Sequence, residues 1–338
     1  MKKKVSLKDI AEQVGVSTAL VSYVLNNKEK EKRVGGEMAA TIRKTAQELK
    51  YQPNQIAKSL KMGKTFTIGL IVANISNPFF GTLARIIEDE AKKHQYTVIF
   101  GSSDENHEKS WDLINVLMNR QVDGFIIAPS DHSADQIRYL QEQHIPVVLL
   151  DRYFPELQTN TVALDNFQAS YEAVRHLLQQ GHTRVGMVTF RNDLFHLKER
   201  ARGYRAALQE QQIPVQECWL REVEEANVQE EVSRLVEEWV HTPEPPEALF
   251  FSTNTLAIQG LKAIHQRKLS VPKDLAVVCF DETDVYDFFY CPVTYVKQPM
   301  AGLGKAAVQL LVKSMQGAAA PLHLSLPSEL VLGESSRR

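Results

Sequence analysis

Two sets of side chains in this sequence have types and spacing that could do chemistry. The first is Ser17, Thr18, Ala19, Ser22, Tyr23 and Asn26, in VSTALVSYVLNN. Helical spacing puts their hydroxyl, methyl, phenol and amide groups along one face. Such groups meet base edges and phosphates in a DNA groove. The second set stands near the ends of apolar runs. Asp151 ends IPVVLLD, Asn254 follows ALFFST, Asp281 ends LAVVCF, and Arg200 lies in ERARGY. Carboxylates and a forked guanidinium suit the adjacent hydroxyls of a sugar-like ligand, and the arginine can also hold a carboxylate or phosphate.

Patterns that would signal catalysis are incomplete. GLGKAA (302–307) resembles a dinucleotide fingerprint, but no strand-like run precedes it. MGKT ends like a phosphate-binding loop, yet its required upstream glycine position is Lys58. His94, His107, His182 and His265 lack metal-ligand spacing. Neither GxSxG nor a paired Cys/His constellation occurs. The expectation is a binding protein with no enzymatic activity, metal or cofactor.

The elements that must position these groups divide the chain. Residues 1–64 hold 14 Lys and Arg against 6 Asp and Glu, while the rest holds 25 against 35. A basic head on an acidic body points the head at a polyanion. Within the head, Leu7, Ile10, Ala11 and Val14 mark one helical stripe and Leu20, Val21, Val24 and Leu25 a second. Gly15 suits a left-handed helix end and Ser17 a cap, the proportions of a helix-turn-helix. A third stripe runs through Ile42, Ala46 and Leu49 after a charged loop at 28–36. Pro53 ends the block, and a short basic segment follows up to the break at Gly63.

Beyond Phe66 the pattern becomes apolar, β-branched runs alternating with helix-length stretches. TIGLIVA, YTVIFGSS, VDGFIIAP and IPVVLLD form one set; TRVGMVTF, PEALFFST and DLAVVCF form another. Continuous apolar runs belong to parallel strands covered on both faces. Two such sets predict two doubly wound lobes with a ligand cleft outside the carboxyl ends of their strands. The last helix, from Ala301 to Gln316, and the strand-like SELVLGES should cross back between lobes.

Cys218, Cys279 and Cys291 are odd in number and widely spaced, which fits a reducing compartment better than disulfides or zinc. MKKK leads into VSLKDIAEQ rather than an apolar signal core, and no run approaches the roughly 18 apolar residues of a membrane span. A cytoplasmic, nucleoid-associated protein with no membrane partner is expected.

LKDIAEQVGVSTALVSYVLNN, YQPNQIAKSL, TIGLIVANISNPFF, VDGFII, GHTRVGMV, FDETD and PVTYVKQP occur in an order and spacing that resemble the lactose-repressor (LacI/GalR) family of bacterial transcriptional regulators. The likeness covers nearly the whole chain. It implies an α/β protein with three parts: an N-terminal all-α helix-turn-helix domain (1–52), a hinge helix (53–64), and an effector-binding and dimerisation core (65–338). The core would comprise two doubly wound α/β lobes of periplasmic-binding-protein type, about 65–164 plus 300–324 and about 165–299 plus 325–338.

Carried over residue by residue, the family's base-reading positions fall on Thr18, Ala19 and Tyr23. The third is commonly arginine, which can grip guanine with two hydrogen bonds; tyrosine here predicts modest direct readout. Gly35 stands in place of a capping serine, and Met38-Ala39 in place of a threonine-arginine pair. Arg43, Lys44 and the 28–33 loop are the candidates to replace that phosphate contact.

Asn54 to Leu60 correspond to the hinge helix, so Asn54, Ala57, Lys58 and Leu60 are expected at the DNA, with Leu60 wedged into the minor groove. ISNPFF matches the loop after the first strand, with Phe79 a stacking face for effector and Phe80 a core residue. Asp165-Asn166 read as a helix cap. The resemblance implies a homodimer that binds a palindromic operator in double-stranded DNA. It would repress carbohydrate-utilisation genes and be released by a small sugar effector; purine or other corepression is the alternative.

Overall fold

The computed structural model describes residues 5–52, 63–317 and 320–338, in two compact units divided between Thr65 and Phe66. The first contains α1 (Leu7–Val14), α2 (Thr18–Leu25) and α3 (Gly36–Glu48). Ser6 and Asp9 close a reciprocal cap on α1, and Gly15 ends that helix at φ +76°, where a Cβ would be strained. Ile10, Ala11, Val21, Val24, Ala39, Ile42 and Ala46 form its core, which follows the three predicted stripes.

The second unit holds two six-stranded sheets. The first sheet runs in the order β2 (Thr97–Ser102), β1 (Thr67–Val72), β3 (Gly124–Ile127), β4 (Val147–Leu150), β5 (Asn160–Leu164), β11 (His323–Leu326), every pairing parallel. The second runs β7 (Leu220–Val223), β6 (Val185–Phe190), β8 (Ala248–Phe251), β9 (Ala276–Phe280), β10 (Thr294–Lys297), β12 (Glu329–Val331), with β12 antiparallel to β10. Both lobes therefore reverse strand order beside their first strand, the topology that opens a crevice at the carboxyl ends. β11 extends to Leu326, two residues past the expected lobe limit.

Eight helices flank these sheets: α4 (Pro78–Lys93), α5 (His107–Asn119), α6 (Ala134–Glu142), α7 (Asn166–Gln179), α8 (Phe195–Glu210), α9 (Val228–Val240), α10 (Asn254–Gln266) and α11 (Met300–Ser314). Apolar cores fill both faces of each sheet. GLGKAA lies within α11, where a Cβ on Gly304 would come within 2.6 Å of the Ile86 side chain of α4. That glycine permits close helix packing. Gly203 does the same between α8 and α7, where a Cβ would meet the Phe167 carbonyl at 2.3 Å; the close approach sets Arg200 beside Asn166.

One expectation fails at an edge. β2 was expected to be covered on both faces, but as the edge strand it leaves Ile99 37 % and Phe100 59 % exposed. An edge strand of apolar composition reads, in sequence, like a buried one. Among the described residues no helix is long and apolar enough to cross a membrane.

Candidate DNA-reading surface and effector cleft

Helix α2 begins at Ser17, whose hydroxyl accepts the Leu20 amide hydrogen at 3.2 Å. Its buried side is Val21 and Val24, so Thr18, Ala19 and Tyr23 are exposed on the opposite face. Ser22 is half-buried, and the Asn26 amide donates to the Ser22 carbonyl at 2.7 Å, closing the helix end. Beside Tyr23, the Lys32 ammonium lies 5.8 Å from the ring centroid, brought there by the charged loop. The Tyr23 position, arginine in the resemblance, thus has a cation next to it from another segment.

The α3 N-terminus has no side-chain cap at Gly35, as expected. Arg43 is not free to replace the missing phosphate contact. Its guanidinium donates to the Glu29 carboxylate at 2.6 Å, the Asn27 side-chain oxygen at 3.1 Å and the Val24 carbonyl at 3.4 Å. This bond to Arg43 is the main reason that the Glu29 carboxyl sits below its usual range. Arg43 fastens the charged loop to the end of the reading helix, a positioning role. The predicted hinge contacts Asn54, Ala57, Lys58 and Leu60 lie outside the described residues.

In the second unit the predicted polar residues collect at the carboxyl ends of both sheets. Asp151 directly follows β4 and Asp281 directly follows β9, each the fourth strand of its lobe, and each takes φ +67°. Aspartate tolerates this left-handed conformation better than most residues because its short polar side chain can bond locally. Both are buried and within electrostatic reach of Arg200. Asp281 accepts from the Gln298 amide at 2.7 Å and from the Asn254 backbone at 3.3 Å.

Arg200 is 2 % exposed and lies 3.6 Å from the Phe280 ring centroid. Its Nε donates to the Asn166 side-chain oxygen at 2.8 Å and one terminal nitrogen to the Ser252 carbonyl at 2.6 Å. Asp165 caps α7 as read from sequence, whereas Asn166 orients Arg200. Asn254 is held across the lobes by a reciprocal amide pair with Asn77, at 2.7 and 3.2 Å. Phe79 is buried in the first-lobe core, edge-on to Phe80, and does not stand free as a stacking face. Phe80 is the ring nearer the cleft cations, 5.6 Å from the Arg152 guanidinium carbon.

Sequence reasoning missed several groups here. Arg152, next to Asp151, makes a two-pronged bond to Glu105 at 2.5 and 2.8 Å. Burial opposes the Arg152 charge, but Glu105 and Asp151 more than offset it and raise its pKa. His196 lies one turn before Arg200 on α8, and burial with two nearby guanidinium groups holds it neutral. The i, i+4 spacing from Arg200 was the available signal. Ser130, Thr189 and Ser252, at the ends of β3, β6 and β8, carried none.

Asp151 Oδ1, Arg152 Nε, His196 Nδ1 and the hydroxyls of Ser130, Thr189 and Ser252 are buried without a hydrogen-bond partner. Buried polar atoms are normally paired. These six atoms come from both lobes, at the carboxyl ends of the strands or on α8 beside them.

Burial pushes Asp151 from 3.8 up to about 6, against the pull of Arg152 and Arg200. The folded state thus holds this proton more tightly than the unfolded chain, so its contribution to stability is fully present below pH 3.8 and lost as pH rises through about 6. His176, His182 and His196, lowered mainly by burial, act oppositely: their contribution falls away as the solution becomes more acidic. The Asp151 part is therefore read by difference. Between pH 4 and 7 the stability of wild type relative to Asp151→Asn should fall by roughly 2.5 kcal/mol, measured by urea unfolding. Parallel pH curves for the two proteins would remove Asp151 as the titrating group.

Comparison with known proteins agrees with this architecture. Residues 6–54 match the model for bacterial regulatory proteins of the lacI family, and residues 174–336 the model for a periplasmic binding protein-like domain. Catabolite control protein A of Priestia megaterium is 33 % identical over 313 residues, 92 % of each chain. A LacI-family transcriptional regulator from Enterococcus faecium, solved with bound ribose, is 28 % identical with a TM-score of 0.71, over 80 % of this chain and 98 % of that one. The lac repressor dimer bound to operator and an anti-inducer shares the fold at a TM-score of 0.87 and 23 % identity, over 99 % of this chain and 100 % of that one. With a helix-turn-helix unit and two doubly wound lobes, this chain belongs to the lacI family of bacterial regulatory proteins.

Proposed function

We propose that the protein is a homodimeric transcriptional repressor that reads a palindromic operator through α2 and the 53–64 segment and is released by a sugar bound between the lobes. The carrying observation is the set of six unpartnered polar atoms in the cleft. Hydroxyls donate to carboxylate and imidazole nitrogen and exchange hydrogen bonds with serine and threonine, so a polyhydroxyl ligand meets the acceptors of this set. The ribose-bound relative supports the same reading.

Two-fold pairing is supported by exposed apolar surface on both lobes, at Ile99 and Phe100 of β2 and at Phe288 and Tyr290 after β9. Switching by binding alone requires no bond to be made or broken, so we read the protein as a regulator rather than an enzyme, acting on the chromosome in the cytoplasm.

The test is a duplex selected from a random library by the full-length protein, then titrated with and without sugars. The selected site should be palindromic, and an effective sugar should weaken binding. Tighter binding with a purine and indifference to sugars would replace induction by corepression.

A further inference from the structure

We propose that the cleft admits uncharged polyhydroxyl effectors and rejects their phosphorylated forms, because Glu105 already holds the Arg152 guanidinium that an anion would need. This rests on the sugar reading above and narrows it to a chemical class.

Arg152 is buried, and both terminal nitrogens of its fork point at Glu105, at 2.5 and 2.8 Å. Its Nε lies 3.8 Å from the Asp151 carboxylate, and Glu225 of the other lobe is also within electrostatic reach. The second guanidinium, Arg200, is stacked on Phe280 and donates to Asn166 and to the Ser252 carbonyl, with Asp151 and Asp281 beside it.

Carboxyl groups thus already surround both guanidinium groups: Glu105 and Asp151 stand at Arg152, and Asp281 and Asp151 are within electrostatic reach of Arg200. A phosphate entering this set finds both guanidinium groups already engaged, Arg152 by Glu105 and Arg200 by Asn166, the Ser252 carbonyl and the Phe280 ring, and it would also approach the Glu105 carboxylate. A bidentate arginine–carboxylate pair is among the stronger polar contacts in proteins, so a ligand anion would have to displace it. A neutral sugar has no such conflict. Its hydroxyls can donate to Asp151 Oδ1 and satisfy the serine and threonine hydroxyls of the cleft.

The experiment is calorimetric titration of the full-length protein with ribose, glucose and cellobiose, and with ribose 5-phosphate and glucose 6-phosphate. The neutral member of each matched pair that binds should do so about 100-fold more tightly than its phosphate. Glu105→Gln keeps the shape of the side chain and frees the Arg152 charge, so it should narrow that ratio to about 10-fold or less by strengthening the phosphate.

Equal or tighter binding of the phosphates by wild type overturns the proposal and leaves the sugar reading standing. An unchanged ratio in a folded Glu105→Gln protein removes Glu105 as the cause. Silence from every sugar and phosphate defeats the sugar reading, and this inference with it. Should Glu105→Gln fail to fold, the wild-type ratios still decide the selectivity.

Discussion

Arg200→Ala should abolish release of DNA by effector and lower the stability of the two-lobed unit by about 3–5 kcal/mol, the usual cost of removing one partner from a buried charge cluster. Arg200 is within electrostatic reach of two buried carboxylates, Asp151 and Asp281, and bonded to Asn166 and the Ser252 carbonyl. Its removal leaves Asp151 and Asp281 facing each other without that counter-charge, so both hold their protons to higher pH. Operator binding without effector should persist, because α1–α3 have their own core. Arg200→Lys should recover part of the stability and little of the response, since an ammonium lacks the planar fork. Measured by urea unfolding and operator titration, full effector response in Arg200→Ala would remove this residue from the switch.

Leu60→Ala should weaken binding to the selected operator by about 100-fold while leaving random duplex nearly unchanged. Leu60 lies outside the described residues. An apolar wedge kinks a base step at a cost that depends on the sequence deformed, so losing it erases discrimination more than non-specific affinity. The exposed α2 face strengthens the expectation: Thr18 and Ala19 have short side chains, and Tyr23 replaces a bidentate reader. Equal losses on operator and random DNA in a gel-shift series would assign Leu60 to general affinity instead.

The helix stripes, the caps at Gly15 and Ser17 and the seven apolar strands were legible because each is a local pattern of composition or period. β5, β7, β10 and β11 were not read as strands. They are four or five residues long, no shorter than β3, β4 or β8, but NTVAL, LREV, TYVK and HLSL carry polar residues that blur an apolar run. Their pairing comes from neighbouring strands rather than from their own composition.

The cleft was half legible. Asp151, Asp281 and Asn254 mark strand ends, a position with meaning in an open α/β sheet. Arg152 and His196 depend on long-range neighbours: Glu105 is 47 residues from Arg152. Arg43 looked like a free cation for the same reason, since its partners Glu29 and Val24 come from another turn of the fold. Phe79 and Phe80 are adjacent and alike, so only packing tells which ring lies nearer Arg152.

The bare flank of β2 links the amount of protein to its survival. An uncovered apolar edge strand is a template on which any extended chain can add, so in the proposed homodimer a partner seated on β2 would make the pair the safe form. Mass action would then make melting temperature rise with concentration, because association withdraws subunits from the unfolding equilibrium. A cell that thins its stock of this regulator by growth would lose operator occupancy and folding reserve together, so scarcity would hasten its clearance.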